Sequence, residues 1–276
     1  MDKEAGYDPQ AYRDFEQSGW NRSARRYANA FGRSTAPFTE PLLDAARVVA
    51  GKRLLDVACG PGDLAAKAGS RGADAVGVDL AEEMVAESRR RNPTVEFHQA
   101  PAEALPFGDC TFDAVCCSFG MHHFAEPLRA ASEAYRVLAP NGRFAFTIWD
   151  GERSVLFNIV MGAVDAHGNL DVPLPEGPPI FGPADDGGWE HILDDAGFAG
   201  THVEEITADV LIESAERVLD VVDTTVRTRA LIEAQTPNAR TLIHDSIVES
   251  AREFERDGMA RIPTTAVLVS AKRPGA

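Results

Sequence analysis

Leu54-Leu55-Asp56-Val57-Ala58-Cys59-Gly60-Pro61-Gly62-Asp63-Leu64 is the stretch that decides the fold. An apolar run, Arg53–Ala58, enters a Gly/Pro turn, and a helix is expected from Asp63 to about Ser70. Small residues at Ala58, Gly60 and Gly62 let a ligand approach the backbone, and the amides at the helix start favour a negatively charged group. A dinucleotide site wants G-x-G-x-x-G, whereas the order here is D-x-A-x-G-x-G. An acid at Asp56 is unfavourable beside a pyrophosphate and favourable beside an ammonium or sulfonium group.

Outward from this turn, apolar runs alternate with helical patterns. Runs at Ala75–Asp79, Val95–Gln99, Phe112–Ser118 and Arg143–Trp149 are separated by expected helices at Glu82–Arg91 and Glu126–Leu138, the second ending at Pro140-Asn141-Gly142. Such alternation predicts a parallel sheet covered on both faces, an α/β fold of the Rossmann-like, doubly wound type. Asp79 closes Gly77-Val78-Asp79-Leu80, roughly twenty residues past the turn, where a carboxylate accepts from both ribose hydroxyls. A solvated strand-end aspartate is the alternative.

The flanks are less regular. Residues up to about Phe31 mix aromatics with charges and read as one or two amphipathic helices. Pro37 and Pro41 open a helix running through Val49, with Gly51 as its cap. Beyond Asp150, Ser154–His167 reads as helix, Gly168–Pro183 as loop, Trp189–Ala196 as helix and Thr201–Ile212 as strand. Ser214–Glu255 reads as two amphipathic helices split at Thr236-Pro237, and Thr264–Ala271 as the final strand.

Composition narrows the function. The 276 residues are 44% hydrophobic, enough for a full core, and 43 Asp plus Glu against 27 Lys plus Arg give a formal charge of −16. That surface repels phosphate backbones, so no nucleic-acid partner is expected. Cys59, Cys110, Cys116 and Cys117 form no C-x-x-C pair and read as reduced thiols with no metal site; Cys116 and Cys117 point to opposite faces of a strand. With no apolar leader and no run long enough to span a bilayer, the expected setting is cytoplasmic, with no membrane partner.

L-L-D-V-A-C-G-P-G (Leu54–Gly62), G-V-D-L-x-x-x-M (Gly77–Met84), A-E-A-L-P-F (Ala102–Phe107) and F-D-A-V-x-x-S-F-G-M-H-H-F (Phe112–Phe124) together resemble the class I S-adenosylmethionine-dependent methyltransferases. The similarity is strongest to the small-molecule branch related to the ubiquinone and menaquinone methyltransferases, and it covers about Leu42 to Trp149. It implies a mostly parallel seven-stranded sheet with an antiparallel last strand, and S-adenosylmethionine as cofactor, leaving S-adenosylhomocysteine. The implied organisation is a helical cap over 1–35, the cofactor core over 36–150, a substrate-pocket insertion over 151–185, core again over 186–212, a helical lid over 213–260, and a final strand and tail over 261–276.

The resemblance also implies roles. Asp56, Ala58, Cys59 and Gly60 would border the methionine moiety and Asp79 would hold the ribose. Leu80 and Met84 would pack on adenine, Ala102 and Glu103 would present the edge facing it, and Ser118 and Phe119 would flank the cofactor. Core packing is the alternative for Leu80, Met84 and Phe119. Pro101 stands where the family usually has an acid that accepts from the adenine amino group, leaving adenine to backbone atoms or Glu103, and Ala58 replaces the usual first glycine.

Methyl transfer from a sulfonium needs alignment more than acid–base chemistry, and a base only where the nucleophile must lose a proton. His123, then His122, are the candidate bases, because the chain leaves the fourth strand there at the crevice end of the sheet. A histidine bonded to a loop for structure is the alternative. Trp20, Tyr27 and His167, the last in the irregular segment with Asp171, are the candidate substrate-binding residues, with plain packing in the cap as the alternative for the aromatics. The expected function is methyl transfer to O, C or N of a small apolar metabolite, of the kind met in secondary metabolism, by a monomer or homodimer. A cyclase or isomerase that keeps the cofactor without net transfer is the second reading. An NAD-dependent dehydrogenase and a non-catalytic binding protein are further alternatives, the former disfavoured by the missing G-x-G-x-x-G.

Overall fold

The computed structural model describes residues 6–179 and 188–275. The end of the loop expected over Gly168–Pro183 lies outside the described residues. Helices α1 (Pro9–Tyr27), α2 (Phe31–Ser34) and α3 (Ala36–Ala45) precede the sheet. Next come β1 (Arg53–Val57), α4 (Asp63–Ser70), β2 (Asp74–Asp79), α5 (Glu82–Arg91), β3 (Glu96–Gln99), β4 (Phe112–Ser118), a 3-10 turn at Met121–His123, α6 (Pro127–Val137) and β5 (Leu138–Trp149). The chain then runs through α7 (Val155–His167), α8 (Gly188–Asp195), β6 (Ala199–Ile212), α9 (Val218–Val222), α10 (Val226–Glu233), α11 (Pro237–Arg252), β7 (Glu255–Arg256) and β8 (Met259–Lys272).

The sheet order is β3-β2-β1-β4-β5-β8-β6, with the two-residue β7 pairing only with β8. Strands β1 to β5 are parallel, and β8 runs antiparallel to both β5 and β6. The seven-strand expectation is met along the main path, and β7 is an eighth strand that adds no width. Because β1 pairs with both β2 and β4, the winding reverses between β1 and β4, and a crevice opens beyond their carboxyl ends. The adjacent thiols divide between the two sides: Cys117 packs with the cluster around Phe112 and Phe146, Cys116 with the one around Leu54 and Leu64. That is the alternation a strand imposes.

Two helix boundaries differ from expectation, each for a local reason. α3 stops at Ala45 rather than Val49, because Arg47 takes a left-handed φ of 56° and the Val48 amide donates back to Leu43 O. This Schellman-like ending arrives four residues before Gly51. The segment expected as two helices holds three. Thr224 and Thr225 donate their hydroxyls to Val221 O and Val222 O, so side chains compete for carbonyls the helix would use, and the break between α9 and α10 falls there.

The cap and the C-terminal helices close over the crevice end of the sheet. Asp8 caps α1 by accepting the Gln10 and Ala11 amides, and Pro9 opens it. α1 crosses α10 at Gly19, where a Cβ would lie 2.3 Å from Val226 Cγ1, so only glycine permits that spacing. β6 and β8 extend past the rest of the sheet, and their ends join α7, α9 and α11 in a separate apolar cluster that includes Val164, Val210, Val218, Ile243, Ile247 and Ile262. Among the described residues no helix is long and apolar enough to cross a membrane.

Candidate functional site

Two cavities meet at the crevice. The first is walled by the ends of the parallel strands: Ala58 and Gly60 after β1, Asp79 and Leu80 at the end of β2, Ala102 and Glu103 after β3, Ser118 and Phe119 at β4, and Met84 from α5. Pro101 lines it too, where an acid would otherwise face the chamber. Two backbone positions here are strained: Ala58 and Phe119 both sit at φ 56°, costly for residues with a Cβ. Phe119 is held there by its amide, which donates to both Thr147 O and Thr147 Oγ1, and by its ring, stacked 3.8 Å from that of Trp149. Gly120 is required by close approach, since a Cβ would lie 2.6 Å from Cys117 Sγ and 2.7 Å from Ala58 Cβ.

Asp79 is fixed by two backbone donors. Its Oδ2 accepts the Gly60 amide and its Oδ1 the Ala81 amide, both at 2.9 Å. Each oxygen retains a lone pair, and the carboxylate lines the chamber. Burial pushes its pKa up to about 6, while the amides of Ala81 and Gly60 pull the other way.

Asp56 and Cys59 do not line this chamber. Asp56 is buried beneath the turn, where its Oδ2 accepts the Ala65 amide at the start of α4, and burial holds its pKa well above the usual carboxylate range. Its role in the structure is to pin α4 to β1. Cys59 packs into the apolar cluster with Leu64 and Phe97. The acidity expected from Asp56 comes instead from Glu16, Asp79 and Glu103, three carboxylates on the chamber wall opposed by Arg13. Arg13 reaches Glu126 at 2.9 Å and Glu103 at 3.8 Å.

The second cavity, about 130 Å³, is mostly apolar and lies beneath the C-terminal helices. Phe31, Trp149, Val160, Val210, Val222 and Val226 are among its walls. Four residues line both chambers: Trp20, Tyr27, Phe119 and His123. Trp20 meets Tyr27 and His123 edge-on, at 5.4 and 5.0 Å between ring centres, and Tyr27 stacks on Phe31.

His123 thus stands at the junction. Its Nδ1 lies 3.1 Å from Glu16 Oε2, which also accepts from Trp20 Nε1 at 2.9 Å. Glu16 is almost fully buried, and its Oε1 has no partner among the described residues. An ionised carboxylate only accepts, so the ring proton belongs on Nδ1 and leaves the Nε2 lone pair free. His122 lines only the apolar cavity; burial holds its pKa well below the usual histidine range, and its Nδ1 is unpartnered. Burial makes it a poor base.

His167 does not join the site. It is exposed at the end of α7 and lines neither chamber, and Asp171 is exposed as well. The described part of the loop after α7 packs on the cap instead: Gly177 sits against the Tyr12 ring, and Pro175 O accepts from Arg227. His191 and His202 are surface residues, and His98 pairs with Glu96. Glu16 is the main residue that sequence reading missed. Its signal was present: it falls between Tyr12 and Trp20 at i, i+4 spacing, a lone acid on the buried stripe of α1.

Comparison with known proteins agrees with this geometry. Residues 55–146, a third of the chain, match a family model described as a methyltransferase domain. A demethylmenaquinone methyltransferase of Thermus thermophilus is 49% identical over 107 residues, covering 37% of this chain and 49% of that protein. One from Renibacterium salmoninarum is 36% identical over 139 residues, covering 49% and 59%. The chain spans about half the length of the curated relatives it matches. Among solved structures, a SAM-dependent methyltransferase of Thermotoga maritima superposes with a TM-score of 0.55 at 17% identity, over 94% of this chain and 99% of that one, a likeness of fold. Residues 55–146 are therefore similar to a methyltransferase domain and to the corresponding part of demethylmenaquinone methyltransferases.

Proposed function

We propose that the protein is an S-adenosylmethionine-dependent methyltransferase acting on O, C or N of a small, largely apolar metabolite. The observation that carries this reading is the pair of chambers meeting at His123, one acidic and strand-lined, the other apolar. The residues fit the cofactor. Three carboxylates against one arginine suit a ligand bearing ammonium and sulfonium charges and disfavour a pyrophosphate. Asp79, with a lone pair left on each oxygen, would hold the ribose, and Ala58 and Gly60 leave room beside the turn. Glu103, with Pro101 and Ala102, lies at the end assigned to adenine.

Bound there, S-adenosylmethionine supplies an electrophilic methyl group, which passes to the acceptor atom while the S–CH3 electron pair stays on sulfur. The protein's own work is alignment and proton removal. Trp20, Tyr27 and Phe119 wall the junction, exclude water and confine the acceptor. Where the nucleophile is a hydroxyl or protonated amine, His123 Nε2 takes its proton. Glu16 then faces an imidazolium, whose charge it stabilises while fixing the ring.

Incubation of the purified protein with S-adenosylmethionine and an acceptor panel of phenols, quinols and aromatic amines tests this. Equimolar S-adenosylhomocysteine and methylated acceptor are expected. An acceptor converted with no S-adenosylhomocysteine formed would place the protein with the cofactor-retaining cyclases and isomerases and overturn the reading.

A further inference from the structure

Among the described residues, the wall of the apolar chamber holds no aspartate or glutamate, although the chain carries 43 acidic residues. It does carry one arginine, Arg227, at the start of α10. The guanidinium is half-buried: Nη1 donates to Pro175 O at 2.9 Å, and the rings of Tyr12 and Phe15 lie 5.6 and 5.9 Å from Cζ. No carboxylate pairs with it among the described residues. A guanidinium offers five N–H donors in a rigid fork, and besides Pro175 O and the Tyr12 hydroxyl no acceptor among the described residues engages it. A partly desolvated cation on an apolar wall, without a counterion, is a cost that an anionic ligand offsets. Thr264 Oγ1, buried on the same wall, also has no partner among the described residues. The neighbouring chamber has the opposite balance, three carboxylates to one arginine.

We propose that the acceptor is an apolar metabolite bearing a carboxylate, which Arg227 binds, with its methyl-accepting atom towards His123. The division of charge then sorts the two ligands: the cationic cofactor enters the acidic chamber and the anionic acceptor enters the other. This rests on the methyltransferase reading for the identity of the first ligand only. The recognition of a carboxylate rests on Arg227 and on a wall with no carboxylate among its described residues.

The test is calorimetric titration of the protein saturated with S-adenosylhomocysteine, using acids and their primary amides as matched pairs: 2-naphthoate and 2-naphthamide, 4-hydroxybenzoate and its amide, octanoate and octanamide. At least one acid is expected to bind about tenfold or more tightly than its amide, as a charge-assisted pair requires. Arg227→Gln should erase that preference, Arg227→Lys should keep part of it, and neither should change S-adenosylhomocysteine affinity. The inference fails if no acid outbinds its amide in the wild-type protein, a comparison that needs no variant to fold, or if the preference survives in Arg227→Gln. Should S-adenosylhomocysteine itself not bind, the cofactor reading fails, and the acid–amide comparison is made on the unliganded protein.

Discussion

Asparagine in place of Asp79 keeps the side-chain shape and removes the charge, so it separates what the carboxylate does for the ligand from what it does for the fold. Burial raises Asp79 from 3.8 to about 6. At neutral pH the folded protein therefore holds the ionised form at a cost of about 3 kcal/mol relative to the unfolded chain. Asparagine removes that cost. It also offers one acceptor oxygen where the carboxylate offers two, so either the Gly60 or the Ala81 amide is left facing an NH2 group. An unsatisfied buried donor costs about 1–3 kcal/mol, and the two effects nearly cancel. The melting temperature of the unliganded Asp79→Asn variant should lie within a few degrees of wild type.

Binding should respond very differently. Two ribose hydroxyls lose a charged acceptor, each bond being worth about 1.5–3 kcal/mol, so S-adenosylhomocysteine affinity should fall by about 100-fold or more. The wild-type protein should also show a pH step. With a pKa of about 6, roughly a tenth of the molecules are ionised at pH 5 and nearly all at pH 7.5, so affinity should rise about tenfold across that range. The stability contribution has the opposite sign: the folded state binds this proton more tightly than the unfolded state, so Asp79's contribution falls as pH rises from about 4 to about 6. Isothermal titration calorimetry over this range, with thermal denaturation of both proteins, measures each quantity. An Asp79→Asn variant that binds within threefold of wild type, or that shows the same pH step, would refute the reasoning.

Glu16→Gln should lower turnover at saturating cofactor by about 10- to 100-fold, since a neutral amide no longer stabilises the His123 imidazolium, and should also weaken cofactor binding by removing one of the chamber's three carboxylates; the turnover loss should shrink with acceptors already ionised in solution, and equal losses for both acceptor types would remove the base assignment. Gly120→Ala forces a Cβ to within 2.6 Å of Cys117 Sγ and 2.7 Å of Ala58 Cβ, so chemical denaturation should show a loss of about 1–3 kcal/mol, together with weaker cofactor binding. His122 stays neutral in the fold while the unfolded chain protonates it below about 6.5, so wild-type stability should fall as pH drops through that value. His122→Leu should flatten this part of the profile, and an unchanged slope in urea titrations between about pH 7 and 5 would contradict the burial argument.

Much of the site followed from local sequence because its residues sit at the ends of strands, where position in the chain fixes position in the crevice. Ala58, Gly60, Asp79, Ser118 and Phe119 all end or follow apolar runs, and a parallel doubly wound sheet brings such ends together whatever the flanks do. Met84 on α5, like Ser118 and Phe119, came from the family resemblance and not from spacing. Asp56 was misplaced for a reason of the same kind: strand alternation sets which way a side chain points, and here it sends the carboxylate under the turn to α4 rather than into the chamber. His167 was misplaced because nothing in an irregular segment states where it packs.

What the sequence by itself determined is the parallel core, its crevice and a turn too small-sided for anything but close ligand approach, since hydrophobic period and glycine placement act over a few residues. Tertiary structure alone decided the rest. Glu16 reaches His123 across 107 positions, and Arg227 comes to the wall of the apolar chamber on a helix that Gly19 lets cross α1 closely. Contacts of that range depend on how whole helices pack, and no local pattern of residues encodes them.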